Sequence, residues 1–183
     1  MPRHAYPWWF HYAFENRLRR LLQQPEEILA PWVQAGMRCL EIGCGMGFFT
    51  IPLARMTQPG GRVVAVDVEP RLLSVLRGRA ARAGVAEAIG TLVSSAERMR
   101  PEGRFGFALA SWSLHETDDP VAAARRIGTA LSAGARFLLA EPRLHVSRSR
   151  FRILCEAMCR GGLELVESPP VPLSHSALFA PSA

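Results

Sequence analysis

The chain contains no lysine: all 22 of its basic residues are arginine. That absence excludes the Tyr-x-x-x-Lys pair used by one large class of nicotinamide oxidoreductases. It also changes how the net charge is read. A formal charge of +6 and a pI near 10.1 would ordinarily favour an acidic or nucleic-acid partner. Here the arginines are scattered over several predicted helices among frequent alanine and glycine, as codon bias produces, so nucleic acid is not the expected partner. Cysteine is scarce. Cys39, Cys44, Cys155 and Cys159 offer no CxxC and no Cys/His pair at zinc spacing, and no metal is expected. Cys155 and Cys159 share one face of a predicted helix with Phe151 and Met158 and read as buried reduced thiols. No apolar run approaches the roughly 18 residues that span a bilayer. Residues 1–10 lack the charged-then-apolar order of a secretion signal. A soluble, cytoplasmic protein without a membrane span is expected. There is no internal repeat or low-complexity stretch, and 183 residues are most simply one domain with its own core.

What is present changes character along the chain. Residues 1–34 read as an N-terminal helical cap or lid, and residues 35–183 as the main body. Tyr6, Trp8, Trp9, Phe10, Tyr12 and Phe14 include both tyrosines and two of the four tryptophans. Beyond them, Leu18, Leu21, Leu22, Ile28, Leu29 and Val33 recur at near-helical spacing, which predicts helices over 16–24 and 26–33 separated by Pro25. The aromatic cluster either packs on a sheet edge or folds over a ligand pocket, where Trp8, Trp9, His11 and Tyr12 would contact a substrate. Both readings stay open.

From residue 35 onward, short apolar runs alternate with helical patterns, the signature of an α/β fold with a mostly parallel sheet. Strands are predicted at 38–42, 62–67, 89–94, 105–111, 135–141, 163–168 and 174–180. Helices are predicted at 48–56, 70–83, 120–131 and 150–160, with Pro120 suited to a first turn and Gly161 and Gly162 to a stop. No helix fits into the proline-rich link 169–172, so the last two strands should pair as a hairpin.

The stretch that organises the rest is 38–50, Arg-Cys-Leu-Glu-Ile-Gly-Cys-Gly-Met-Gly-Phe-Phe-Thr. An apolar strand running through Gly43, Gly45 and Gly47 into a helical segment is how a nucleotide site looks in sequence. Glycine permits positive φ and lets a ligand approach the main chain. The turn is expected to set its amides and the next helix N-terminus beside a cofactor. Asp67 ends the second strand, where a carboxylate can accept hydrogen bonds from both hydroxyls of an adenosine ribose; Glu69 is the nearer cap for the following helix. The spacing is GxGxG and not the GxGxxG that holds a pyrophosphate.

At these residues the sequence resembles the class I S-adenosylmethionine-dependent methyltransferases, of the small-molecule, type 11/25-like kind. Their first motif is an acidic residue, an apolar residue and GxGxG; Glu41-Ile42-Gly43-Cys44-Gly45-Met46-Gly47 matches it, and the resemblance runs from Met37 to the C-terminus. It implies a Rossmann-like doubly wound seven-stranded sheet, six strands parallel and the last antiparallel, with helices on both faces. It also implies S-adenosyl-L-methionine as cofactor and methyl transfer as the activity. By the same resemblance Gly43, Cys44, Gly45 and Gly47 approach the methionine part, Glu41 supports its amino group, Asp67 holds the ribose and Val68 lies against adenine. Ser95-Ala96-Glu97 stands where many members have Asp-Ala-Glu, so Ser95 and Ala96 take the adenine side with a weaker hydrogen bond than a carboxylate gives. Ser111 ends the fourth strand at the cofactor. The segment 111–116, with His115 four residues past the strand end, is similar to that of small-molecule members, and the Asn-Pro-Pro-Tyr motif of DNA and protein amide methylating enzymes is absent. A small-molecule acceptor is the expected partner.

Methyl transfer is an in-line displacement in which an enzyme chiefly aligns the nucleophile. A hydroxyl nucleophile also needs a base, and His115, with an ordinary pKa of about 6.5, can serve as one. Alternatively His115 orients its loop or lines the pocket, since thiol, amine or stabilised-carbanion acceptors need little base catalysis. Glu116, Asp118 and Asp119 precede Pro120 and read as helix caps. An RNA or protein methyltransferase is the alternative within the family. An NAD-dependent oxidoreductase and a non-catalytic cofactor-binding module are the alternatives outside it. Nothing in the sequence assigns an oligomeric state.

Overall fold

A computed structural model describes residues 22–182. In chain order its helices and strands are α1 (Pro25–Leu29), β1 (Arg38–Ile42), α2 (Thr50–Met56), β2 (Arg62–Asp67), α3 (Pro70–Arg82), β3 (Ile89–Val93), β4 (Phe105–Ser111), α4 (Pro120–Ala130), β5 (Leu131–Pro142), α5 (Arg148–Arg160), β6 (Leu163–Glu167) and β7 (Ser174–Pro181). The strands form one sheet in the order β3-β2-β1-β4-β5-β7-β6. β1 to β5 pair in parallel, while β7 runs antiparallel between β5 and β6, so six strands share a direction and the last opposes them.

Successive strand residues point to opposite faces, and both faces here are apolar. Leu40, Ala108, Phe137, Leu139 and Phe179 pack with Ala124 and Ile127 of α4 and Leu154 and Met158 of α5. Cys39, Val63, Phe107, Leu109, Leu138 and Leu178 pack on the other side with Leu29 of α1 and Leu53 of α2. Leu73 and Leu76 of α3 join that side over Ala65. Three helix starts are capped by side chains: Glu69 accepts from the Arg71 amide at 3.1 Å, Asp119 from Ala122 at 2.9 Å and Ser147 from Arg150 at 3.3 Å.

Several predicted boundaries move. α1 begins at Pro25 itself and ends at Leu29, because proline lacks the amide that a first turn leaves unpaired anyway. α2 begins at Thr50, the preceding residues 45–49 being a turn. α5 starts at Arg148 on its Ser147 cap. β5 starts at Leu131, not 135: Leu131 pairs with Phe105 and Arg136 with Phe107, and the register shift between them absorbs the extra residues. All four cysteines are free, but the expected buried pair is not buried: Cys155 is half-buried and Cys159 exposed. Among the described residues, no helix is long and apolar enough to cross a membrane.

Candidate active site

The chain runs from β1 outward through β2 to β3 and then returns to β4 on the other side of β1. This reversal opens a crevice beyond the carboxyl ends of β1 and β4, the general binding position in doubly wound sheets. Three turns meet there: 43–47 after β1, 67–69 after β2, and 111–117 after β4.

In the first turn Gly43, Gly45 and Gly47 have φ of +71°, +53° and +91°, a region closed to most side chains. A Cβ on Gly43 would overlap the Ser113 side chain, and one on Gly47 would overlap Leu76. The expectation that these amides face a cofactor is corrected. Gly43 and Cys44 donate to the Val66 carbonyl at 2.8 and 3.1 Å, Gly47 donates to Cys44, and Gly45 donates to Asp67 Oδ2 at 2.8 Å. The turn is therefore braced against β2, and its use to a ligand is the bare main chain. Asp67 is nearly buried and also accepts from the Glu69 amide at 2.9 Å. Glu41, buried at the end of β1, accepts from the Thr50 hydroxyl at 2.6 Å, which ties the strand to the first residue of α2.

Val68 lies 59% exposed beside Asp67, and Ala96 is buried. The Ser111 hydroxyl at the end of β4 is buried with no hydrogen-bond partner among the described residues, and the buried Ser95 hydroxyl beyond β3 has only the Glu97 side chain beside it. Orphaned buried hydroxyls are costly unless something satisfies them. With the side-chain-free turn and two carboxylates, they form a donor and acceptor set that fits the ribose, amine and adenine of S-adenosylmethionine. Trp8, Trp9, His11 and Tyr12 lie outside the described residues.

His115 was singled out by its place after β4, but its partner was not. Its Nδ1 lies 2.6 Å from Glu141 Oε2, and its backbone amide donates to Glu141 Oε1 at 3.2 Å. Glu141 is fully buried near the end of β5. Burial pushes the Glu141 carboxyl up, against the downward pull of His115. Burial alone would lower His115; the hydrogen bond and charge of Glu141, with help from Glu116, outweigh it and raise the imidazole above 6.5. A carboxylate only accepts, so it fixes the proton on Nδ1. Nε2 is left with Glu116 at 4.0 Å and no hydrogen bond among the described residues. The His145 ring stands edge-on to His115 at 5.3 Å. Asp119 caps α4 as expected, and Glu97 accepts from Thr117 at 2.8 Å, joining the turn after β3 to that after β4. The one available signal for Glu141 was an acid at or one residue before the end of an apolar strand, as Glu41 and Asp67 also are. Among the described residues, no cluster of three or more His, Cys, Asp or Glu side chains could hold a metal.

Residues 39–134, just over half of the chain, match the methyltransferase-domain family. The chain is similar to nocamycin O-methyltransferase of Saccharothrix syringae, 31% identical over 129 residues, covering 70% of this chain and 44% of that protein. It is also similar to the ubiquinone/menaquinone biosynthesis C-methyltransferase UbiE of Pasteurella multocida, 28% identical over 110 residues, 60% of this chain and 41% of that protein. The matched region is thus less than half the length of these relatives. In fold it is similar to a SAM dependent methyltransferase from Aquifex aeolicus, with a TM-score of 0.84 at 17% identity over 96% of this chain and 98% of the other. The chain belongs to the class I S-adenosylmethionine-dependent methyltransferases, and S-adenosyl-L-methionine is its cofactor.

Proposed function

We propose that this chain moves a methyl group from S-adenosylmethionine to a hydroxyl oxygen of a small molecule, with His115 as general base. The observation that carries this reading is the 2.6 Å contact between His115 and the fully buried Glu141. A buried carboxylate behind an imidazole is of little use to a thiol or amine acceptor. For a hydroxyl it holds the ring in the tautomer whose Nε2 can take the proton.

The cofactor supplies a methyl group already activated by the positive charge on sulfur. The protein's part is alignment and proton removal. Gly43, Cys44, Gly45 and Gly47 give the bare main chain for the methionine part, and Glu41 receives its amine. Asp67 receives the ribose hydroxyls. Val68 presents an exposed apolar side chain to adenine, with Ser95 and Ala96 at its edge, and the Ser111 hydroxyl completes the wall. Trp8, Trp9, His11 and Tyr12 contribute to the acceptor side. The name of the nocamycin O-methyltransferase also supports an oxygen acceptor, whereas that of UbiE keeps carbon as the competing outcome.

Transfer from labelled S-adenosylmethionine to a panel of phenols, and to matched thiols and carbon acids, tests the reading. Phenols are the expected acceptors. His115 works only when neutral, and Glu141 raises its pKa, so kcat should rise with pH to a plateau with its midpoint above 6.5. Glu141→Gln leaves only Glu116 to oppose burial and Arg150, and should move that midpoint down. His115→Ala should cut kcat by about 10²–10⁴. Full activity in His115→Ala, or transfer confined to carbon, would sink the proposal.

A further inference from the structure

Trp112 has φ +59° and Leu173 has φ +62°, the two non-glycine residues with left-handed backbone among those described. A bulky residue keeps such a conformation only where its surroundings hold it there, and such residues cluster at functional sites. These two flank a single contact: the Trp112 indole Nε1–H donates to Ser174 Oγ at 2.9 Å, and Ser174 directly follows Leu173. We infer that Trp112 and Ser174 are a positioning pair, and that the side-chain contact between them holds His115 against Glu141. What the pair means for catalysis rests on His115 being the base.

The local geometry shows how. The Trp112 amide still belongs to the sheet, donating to the Ala140 carbonyl at 2.8 Å. Its left-handed φ then turns the chain back. Ser113 Oγ donates to the Ile42 carbonyl at 2.9 Å, and the short turn Leu114–Glu116 brings both the amide and Nδ1 of His115 onto Glu141. Ser174 and Glu141 belong to the same strand end, because Ser174 is paired with Pro142 and His175 with Glu141. The loop after β4 thus grips the β5–β7 end with two side chains, the indole and the imidazole, besides the amides of Trp112 and His115. Ser174 is fully buried and further secured: its carbonyl accepts from Arg143 Nε at 2.8 Å, and its hydroxyl receives a longer 3.4 Å contact from Gln23 Nε2. A glycine at 112 would make the turn at no conformational cost. Tryptophan adds an anchored donor, which ties the loop carrying His115 to Ser174.

The titration of His115 in the full chain, followed by NMR of labelled histidine, reads this directly and needs no acceptor. Trp112→Phe keeps a ring and loses the donor; Ser174→Ala loses the acceptor. In both, the His115 pKa should drop by roughly half a unit or more as burial outweighs a loosened Glu141. Ser174→Thr, which retains a hydroxyl, should restore the wild-type value. Trp112→Gly relieves the strained turn, so it should melt no lower than Trp112→Phe and yet show the same drop. An unchanged His115 titration in Trp112→Gly, or in Trp112→Phe and Ser174→Ala with only their melting temperatures lowered, overturns the inference. If His115→Ala keeps full methyl transfer while these variants still shift the titration, the base reading fails and the positioning stands.

Discussion

Gly43 shows how little freedom a single residue has at this site. Its φ of +71° is unfavourable to any side chain, and a Cβ there would overlap Ser113, whose hydroxyl is already committed to the Ile42 carbonyl. Gly43→Ala should therefore cost about 1–3 kcal/mol in backbone strain and a similar amount in overlap. Urea unfolding measures this, and S-adenosylmethionine affinity should fall with it; a variant with wild-type midpoint and affinity contradicts the packing described. The left-handed glycine turn and the placing of Asp67 at the end of β2 were legible in the sequence because they follow from local spacing. Glu141 was not: its partner is 26 residues away, and nothing within its own strand says that an imidazole arrives there. Trp112 was invisible for a related reason, since a left-handed φ at tryptophan runs against its intrinsic preference and exists only through contacts made elsewhere.

β5 and β7 carry much of the sheet's cohesion, and the β5 end also holds His115 through Glu141. Phe137 and Phe179 are directly paired across them, both fully buried, with ring centroids 5.9 Å apart. Phe179→Ala should lower stability by about 3–5 kcal/mol in an equilibrium melt; a loss below about 1 kcal/mol would mean this end of the sheet collapses around the gap. At this scale the sequence was informative. β1, β2 and β4 fall on their predicted bounds because each is a short apolar run with a clear stop, the glycine turn after Ile42 and the polar Asp67 and Ser111. The early start of β5 was hidden because Leu131-Ser-Ala-Gly134 has no alternation and includes a glycine, so only its pairing to Phe105 makes it strand. The hairpin of β6 and β7 was readable from the proline-rich link, which leaves no room for a crossover helix.

In the whole molecule, the reversal of strand order between β1 and β4 brings together pieces far apart in sequence. The Gly43–Gly47 turn is braced by Asp67, the turn after β4 is pinned to Ile42 and to Glu141, and Thr117 bridges to Glu97. Apart from Ser111, the residues proposed to hold the cofactor sit on other turns than His115, so the two roles should be separable. Calorimetric titration of S-adenosylmethionine, and separately of NAD, into the wild-type chain, Asp67→Ala and His115→Ala tests that division. The wild type and His115→Ala should bind S-adenosylmethionine alike, Asp67→Ala should bind about 100-fold more weakly or not at all as its charge-assisted ribose contacts are lost, and NAD should not bind. Equal loss in both variants, or NAD binding where S-adenosylmethionine does not bind, would contradict it.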